Sequence, residues 1–347
     1  MSEAADEEMA RMDAMRKRRN NDKQSMIKRG KGMATVSLFL CLWSLPVLAQ
    51  TTIRMGAGGA QTATIPFVIG AKQGIFAQHG INLEIITIAN EQTASRALIS
   101  GSVEFVTSIT VGFFYLARQG GDAVGIASWN NSSPYSLASR LKIKDLGGLK
   151  GRKIATSGAG GRSDAFIRFM LTKIGLDPRS DAQILPLSGG SGVRLAALLS
   201  GNIDATLISY TQEKQAEKLG LTIIPIPMPY IQGQISTRRS YLEKNPKMVK
   251  AFLLSLSETI RAVRAERSGA MKVIAQVLKT DDKEVLEHAY NGLRSQVVPD
   301  LLPTEESIVN VLKIMSYEDA AFASIAPFKH FDLSLVQEIA AEQARGR

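Results

Sequence analysis

Ala97-Leu98-Ile99-Ser100-Gly101-Ser102-Val103-Glu104 and Ala197-Leu198-Leu199-Ser200-Gly201-Asn202-Ile203-Asp204 are two copies of one local pattern. In each, an apolar helix end runs into a glycine suited to the left-handed position that stops a helix. An acidic residue then opens a strand. β-prone residues follow both copies, Phe105-Val106-Thr107 in one and Ala205-Thr206-Leu207-Ile208 in the other.

The surroundings of the two copies agree as well. Upstream of the first, the pattern predicts a strand (Thr52–Met55), a glycine-rich turn (Gly56–Gly59), a helix (about Ile65–Gln78) and a strand (Leu83–Ile88). Thr64 is a plausible cap for that helix, and Pro66 fits its first turn. Upstream of the second come a strand (Lys153–Thr156), a glycine-rich turn (Gly158–Gly161), a helix (about Ser163–Ile174, stopped by Gly175) and a strand (Gln183–Leu187). Both units read β-α-β-α-β, which predicts an α/β fold of mainly parallel sheets flanked by helices. Two copies are too few for a solenoid, so two similar lobes are expected.

Beyond Asn245-Pro246 the chain turns helical. Val249, Phe252, Leu253, Leu256, Ile260 and Val263 recur at helical spacing,. Further helices are expected near 270–278, 282–293, 304–316 and 333–344, packed on the first lobe. Ser132–Arg140 and Gln232–Arg238 read as extended segments; if both cross between lobes they form a two-segment hinge. The expected division is residues 51–140 with 236–347 as one lobe and 141–235 as the other.

The first 49 residues are unlike the rest. A basic cluster, Arg16-Lys17-Arg18-Arg19, and then Lys28, Arg29 and Lys31 precede an uncharged stretch, Met33 to Ala49. That stretch falls short of the ~20 apolar residues that span a bilayer. Val47 and Ala49 place small residues before Gln50, so residues 1–49 read as a signal peptide with a long basic leader. Translation from Met26 would leave a shorter leader of ordinary form. Export to the periplasm is expected.

Composition narrows the chemistry. The single cysteine, Cys41, lies in the apolar run, which leaves no disulfide or cysteine metal site after cleavage,. Residues 1–49 hold nine Lys+Arg and six Asp+Glu, so the remainder carries +7 of the formal +10. Its basic residues are scattered and form no stripe with interleaved aromatics, which argues against nucleic acid. Gly56-Ala57-Gly58 and Gly158-Ala159-Gly160 begin like dinucleotide fingerprints, but Gln61 and Ser163 stand at the third glycine,. Gly189-Gly190-Ser191-Gly192-Val193 lacks the last glycine of a nucleophile elbow. His79, His288 and His330 have no neighbours at metal-ligand spacing. What remains is a set of polar, glycine-rich loops at the carboxyl ends of the predicted strands, Asn90-Glu91-Gln92 and Ser188-Gly189-Gly190 among them. In open parallel sheets ligands bind there, and helices that start there offer free amides to an anion.

With these residues in view, the chain resembles the NitT/TauT family of ABC-transporter substrate-binding proteins, also described as thiamine-pyrimidine-synthase-like, within the type 2 periplasmic binding protein superfamily. The resemblance rests on IPFVIGAKQGIFAQHGINLEII (65–86), ALISGSVEF (97–105), LGGLKGRKIATSGAGGRSDAFIRFMLTKIGLDP (146–178) and LSGGSGVRLAALLSGNIDATLISY (187–210). It implies two α/β lobes that close on a small solute, no cofactor and no catalysis. It also implies a monomer that serves a permease and ATPase in the inner membrane. The alternatives are a thiamine-pyrimidine-synthase-like enzyme and the sensing lobe of a signalling system. The enzyme relatives carry a cysteine-rich cluster that this chain lacks. The expected solute site lies between Gly58, Gln61, Thr62, Ser108 and Asn130 on one side and Ser157, Arg162, Ser163 and Tyr210 on the other. Family members often place a serine or threonine pair where this chain has Arg162-Ser163. Three roles are open to Arg162: a fork for a carboxylate or sulfonate, a solvent-facing residue, or a partner of Asp164.

Overall fold

A computed structural model describes residues 9–19, 50–58, 61–88, 90–133, 135–158, 161–188 and 190–346. The chain divides into two units, Met1–Ala49 and Gln50–Arg347. In the first, residues 9–19 form an exposed helix, α1, while the apolar run Met33–Ala49 expected as the signal core lies outside the described residues.

The second unit begins with β1 (Thr51–Gly58), followed by a 3-10 turn (Gln61–Thr64), α2 (Ile65–Lys72), α3 (Ile75–Gln78), β2 (Ile81–Ile88), α4 (Glu91–Ile99), β3 (Phe105–Thr107), α5 (Thr110–Arg118) and β4 (Val124–Ser128). Next come β5 (Ser136–Ser139), β6 (Lys153–Thr156), α6 (Arg162–Lys173), β7 (Gln183–Pro186), α7 (Gly190–Leu199), β8 (Ala205–Ile208), α8 (Tyr210–Lys218), β9 (Thr222–Pro225) and β10 (Gln234–Thr237). The strands form two five-stranded sheets, ordered β2-β1-β3-β10-β4 and β7-β6-β8-β5-β9.

The pairing of the first copy recurs in the second. β1 runs parallel to β2 and β3, and β6 parallel to β7 and β8. The fourth strand of each sheet is antiparallel to both neighbours: β10 in the first sheet and β5 in the second. Each has crossed over from the other half of the chain. The extended segments read from sequence are therefore sheet strands, and Ser136–Ser139 joins the second sheet although it falls in the stretch expected in the first lobe. The two acids of the sequence echo do the same work. Glu104 accepts the backbone N–H of Arg54 at 2.7 Å, and Asp204 accepts that of Lys153 at 3.0 Å. The hydroxyls of Thr237 and Ser139, at the ends of the crossing strands, donate to the carbonyls of those acids. The next residues, Arg238 and Arg140, donate to carbonyls of the glycine turns, Leu98 and Val103 in one copy and Ile203 in the other. Gly101 and Gly201 both take the left-handed backbone the turns need, at φ 76° and 79°,.

The helix expected over about 65–78 is two helices, because Gly74 at φ 72° breaks the ladder between α2 and α3. Thr64 does not cap α2 through its side chain. It ends the 3-10 turn with helical backbone, whereas a capping side chain works from an extended one.

The C-terminal part folds into α9 (Arg239–Lys244), α10 (Pro246–Ala265), α11 (Arg267–Leu278), α12 (Lys283–Gln296), α13 (Glu305–Ser316) and α14 (Ser334–Ala344). The predicted apolar face of α10 is wholly buried. Phe252 stacks on Phe105 of β3 at 4.0 Å between ring centres and lies against Phe67 of α2. This part was expected to pack on the first lobe; α10 and α11 lie on α2, while α12 packs on α8 and α13 on both α5 and α6. Ile308, Val311 and Leu312 of α13 join one apolar cluster with Phe113 of α5 and Phe166 of α6. A helix with an apolar stripe is buried wherever a second apolar face is offered, and here both halves offer one.

Candidate functional site

The two halves meet where α4 and α6 begin. β1 ends at Gly58, where a Cβ would stand 2.8 Å from Ile109 and 3.4 Å from the Glu91 backbone, so only glycine lets the strand end lie against α4,. Asn90 caps α4 by accepting the N–H of Thr93 at 2.8 Å,. Glu91, the next residue, turns inward and is buried. One of its carboxylate oxygens accepts the N–H groups of Val111 and Gly112 at 3.2 and 3.3 Å, at the start of α5. The other faces Arg162 Nε at 3.2 Å, and both side chains are under a tenth exposed. Burial pushes the Glu91 carboxyl above its ordinary range, against the pull of Arg162 and the two amides. Burial also opposes the Arg162 charge, but Tyr135 and Glu91 outweigh it and hold the guanidinium above its usual value,.

Arg162 is the first residue of α6. Besides Glu91 it reaches both crossing segments: Nε donates to the Tyr135 hydroxyl at 3.3 Å and Nη1 to Gln232 Oε1 at 3.3 Å. Its guanidinium lies 5.8 Å from the centre of the Tyr135 ring,. Of the roles left open by the sequence, solvent and Asp164 are not its partners. Asp164 pairs instead with Arg168, one turn along α6, at 2.8 Å.

The remaining expected residues fall into two groups. Ser157 and Ser163 close the loop before α6: Ser163 Oγ accepts the N–H of Ser157 at 2.7 Å and lies 2.8 Å from its hydroxyl. Ser108 is fully buried, with backbone φ 59°, and its hydroxyl donates to the carbonyl of Gln232 at 3.3 Å, which ties it to the residue that meets Arg162. Asn130 and Tyr210 point elsewhere, toward α12. Asn130 donates to Gln296 at 3.1 Å and accepts the N–H of Ser132 at 2.8 Å. The Tyr210 ring lies against Gly292, where a Cβ would be 2.5 Å from it. Gln61 and Thr62 lie in the 3-10 turn after β1; their side chains are outside the described residues.

The sequence reading missed three residues that the structure brings to this cluster, Tyr135, Gln232 and Tyr230, and one buried arginine elsewhere in the second half. Tyr135 and Gln232 had no pattern to mark them. Tyr230 is buried, with no hydrogen-bond partner for its hydroxyl among the described residues, and burial raises that phenol well above its ordinary value while Arg162 pulls it down. Arg194 of α7 is 4% exposed and donates through Nε to the Thr206 hydroxyl at 3.2 Å. One signal was available for it: Arg194 is the single charge within the apolar run Val193–Leu199. Among the described residues, no group of three His, Cys, Asp or Glu is placed to hold a metal.

The fold is that of known two-lobed binding proteins. A protein from Bordetella bronchiseptica RB50 superposes with TM-score 0.71 at 21% identity, covering 86% of this chain and 99% of its own. The periplasmic aliphatic sulphonate-binding protein SsuA of Escherichia coli gives 0.64 at 18%, covering 82% and 99%. The alkanesulfonate-binding protein SsuA of Xanthomonas axonopodis pv. citri, bound to MOPS, gives 0.63 at 18%, covering 80% and 96%. In sequence, a protein of Brucella abortus (strain 2308) carrying only a provisional binding-protein name is 24% identical over 268 residues, 74% of this chain and 82% of the relative. Residues 61–269 match the profile described as NMT1/THI5 like, more than half of the sequence, and the chain belongs to that family.

Proposed function

We propose that this protein is the solute-binding receptor of an ABC uptake system. It takes a small anionic or polar organic solute between two lobes and delivers it to an inner-membrane permease without chemical change. The carrying observation is the meeting of Glu91 and Arg162, at the starts of helices over different sheets, beside two crossing strands. Side chains from both halves converge there with residues of the connecting segments, an arrangement suited to closure about a hinge. The solutes named for the sulfonate-binding structural neighbours agree with this reading. The lobes divide at the crossing segments, and the site draws on Gly58 and Ser108 from one lobe and Ser157, Arg162 and Ser163 from the other. Residues 1–49 direct export and are removed, which places the receptor in the periplasm.

The test is a thermal-shift screen of the chain from Gln50, with sulfonates, carboxylates, nitrate and pyrimidines, followed by calorimetry and solution scattering on any hit. Saturable one-to-one binding with a smaller radius of gyration supports the receptor. Turnover of the bound compound overturns it in favour of an enzyme.

A further inference from the structure

Lysines and arginines occur throughout the chain from Gln50, but the acids that balance them do not. The stretch RLKIKDLGGLKGRK (140–153) holds six cations and one acid, so these fourteen residues carry +5 of the +7 found after Ala49. The fold does not demand that charge. Arg54 and Lys153 are equivalent, since each gives its backbone N–H to the acid of its own copy. Yet Thr51, Thr52 and Ile53 precede the first where Lys150, Gly151 and Arg152 precede the second.

Apolar residues pin the stretch down and turn the cations outward. Leu146 and Leu149 are buried and Ile143 half-buried, all three in the apolar cluster of Phe166. Between and beside them Lys142, Lys144, Lys150, Arg152 and Lys153 are exposed. The backbone is held by Asp145, which accepts the Gly147 N–H at 2.9 Å, and by Gly151, which donates to the Asp181 carbonyl at 2.7 Å. Ser139, the last residue of β5, pairs with Ala205 and Thr222 at the starts of β8 and β9, and Lys153 opens β6 beside Gln183 of β7. The cations therefore lie at the end of the second sheet where β6 and β8 begin, while the loops that lead to Arg162 and Tyr210 lie at the other end. The neighbouring acids are engaged: Asp204 with Arg140 and the Lys153 amide, Asp181 with Lys150 at 3.5 Å, and Asp177 with the Arg179 amide at 2.8 Å. Lys142, Lys144, Arg152 and Lys153 have no carboxylate at ion-pair distance from their side chains among the described residues.

Four unpaired cations on an ordered platform, with no aromatic among them, suit a surface of many negative charges and not a partner that stacks bases. A bilayer with anionic phospholipid headgroups is such a surface, and the inner membrane is where the permease sits. We infer that the end of the second sheet carrying Lys142, Lys144, Arg152 and Lys153 docks on anionic phospholipid headgroups, which holds the receptor at the membrane with its solute cleft free. The membrane as partner rests on the receptor proposal; the patch itself does not.

The experiment sediments the chain from Gln50 with vesicles, either equal parts phosphatidylglycerol and phosphatidylcholine or phosphatidylcholine alone. Wild type is compared with a patch variant (Lys142→Gln, Lys144→Gln, Arg152→Gln, Lys153→Gln) and a control that loses the same charge elsewhere (Lys247→Gln, Lys272→Gln, Lys313→Gln, Lys329→Gln), all eight positions being exposed. Wild type and control should bind the anionic vesicles at low salt, leave them as salt rises, and ignore the neutral ones. At about fivefold per cation, the patch variant should bind the anionic vesicles at least about a hundredfold more weakly. Should the fourfold patch variant fail to fold, Lys144→Gln alone should bind about fivefold more weakly. Equal weakening in patch and control variants makes the effect one of net charge and overturns the inference. So does an absence of wild-type binding, binding that salt leaves unchanged, equal binding to neutral vesicles, or tighter binding to duplex DNA than to anionic vesicles at the same salt. None of these outcomes touches the receptor proposal, which the solute screen decides.

Discussion

Glu91 and Arg162 face each other at 3.2 Å across the meeting of the two sheets, each buried and each held by further partners of its own. Removing one charge leaves the other stranded in a dry site. Glu91→Gln and Arg162→Met should each cost about 3–5 kcal/mol of stability, the usual penalty for breaking a buried pair. The double variant should cost less than the sum of the two. Urea unfolding of all four proteins gives the coupling directly, and strict additivity would mean that the two groups do not interact in solution.

The corresponding acid of the second copy makes a pH test. Burial raises the Asp204 carboxyl, but the Lys153 amide and Arg140 outweigh it and hold the group below its ordinary value. A carboxylate with a depressed native pKa contributes stability that is full above its unfolded pKa of about 3.9 and is lost as pH falls through the native value. Asp204→Asn should therefore be less stable than wild type by about 1–3 kcal/mol at neutral pH. That gap should stay flat down to about pH 4 and narrow below it. Thermal melts across pH 3 to 8 check this, and a gap that widens in acid contradicts the assignment.

How much of this was open to the sequence follows from these same residues. The echo at 97–104 and 197–204 encodes local events, a helix stop and a strand start, and the structure uses both acids alike. The order of the parallel strands follows from that alternation. Arg140 and Arg238 end the crossing segments in both copies, but their shared role depends on β5 and β10 entering opposite sheets, which no local pattern states. Glu91 was legible as part of a polar loop, yet its partner is set by how two lobes meet. Tyr135, Gln232 and Tyr230 belong to the same class of tertiary choice. Gly74 broke a helix that periodicity had joined, because a single left-handed residue outweighs a favourable apolar pattern on either side.

The contact between α8 and α12 gives a steric test. A methyl group at Gly292 would stand 2.5 Å from the Tyr210 ring, too close for any real Cβ. Gly292→Ala should cost about 1–3 kcal/mol by overpacking. Tyr210→Phe keeps the ring and should stay within about 0.5 kcal/mol of wild type, since its hydroxyl has no hydrogen-bond partner among the described residues. Chemical unfolding of both variants separates a packing role for Tyr210 from a polar one.

Export can be checked without a ligand. A small-residue exit before Gln50 predicts a secreted chain whose mass begins at that residue,. Intact-mass analysis of the periplasmic fraction reads the terminus. A full-length chain retained in the membrane fraction contradicts cleavage.

The last prediction concerns the place where the crossing segments are tied together. Trp129 donates its backbone N–H to Gly233 at 3.0 Å, and Gly233 donates back to Asn130 at 2.8 Å. The indole is buried; its N–H donates to Thr107 Oγ1 at 3.1 Å, and Phe67 lies edge-on to the ring. Thr107→Val keeps the side-chain volume but removes the only acceptor for that N–H among the described residues. A buried donor left unsatisfied costs about 1–3 kcal/mol, whereas Thr107→Ser keeps the acceptor and loses only a methyl group. Unfolding midpoints should therefore fall further for valine than the serine variant's lost methyl would bring about. If this tie is the pivot of closure and not a solute contact, both variants keep wild-type solute affinity within about twofold, well under 1 kcal/mol. A tenfold loss of affinity in Thr107→Val with an unchanged midpoint would place the solute at the tie itself, and would move the site away from Arg162.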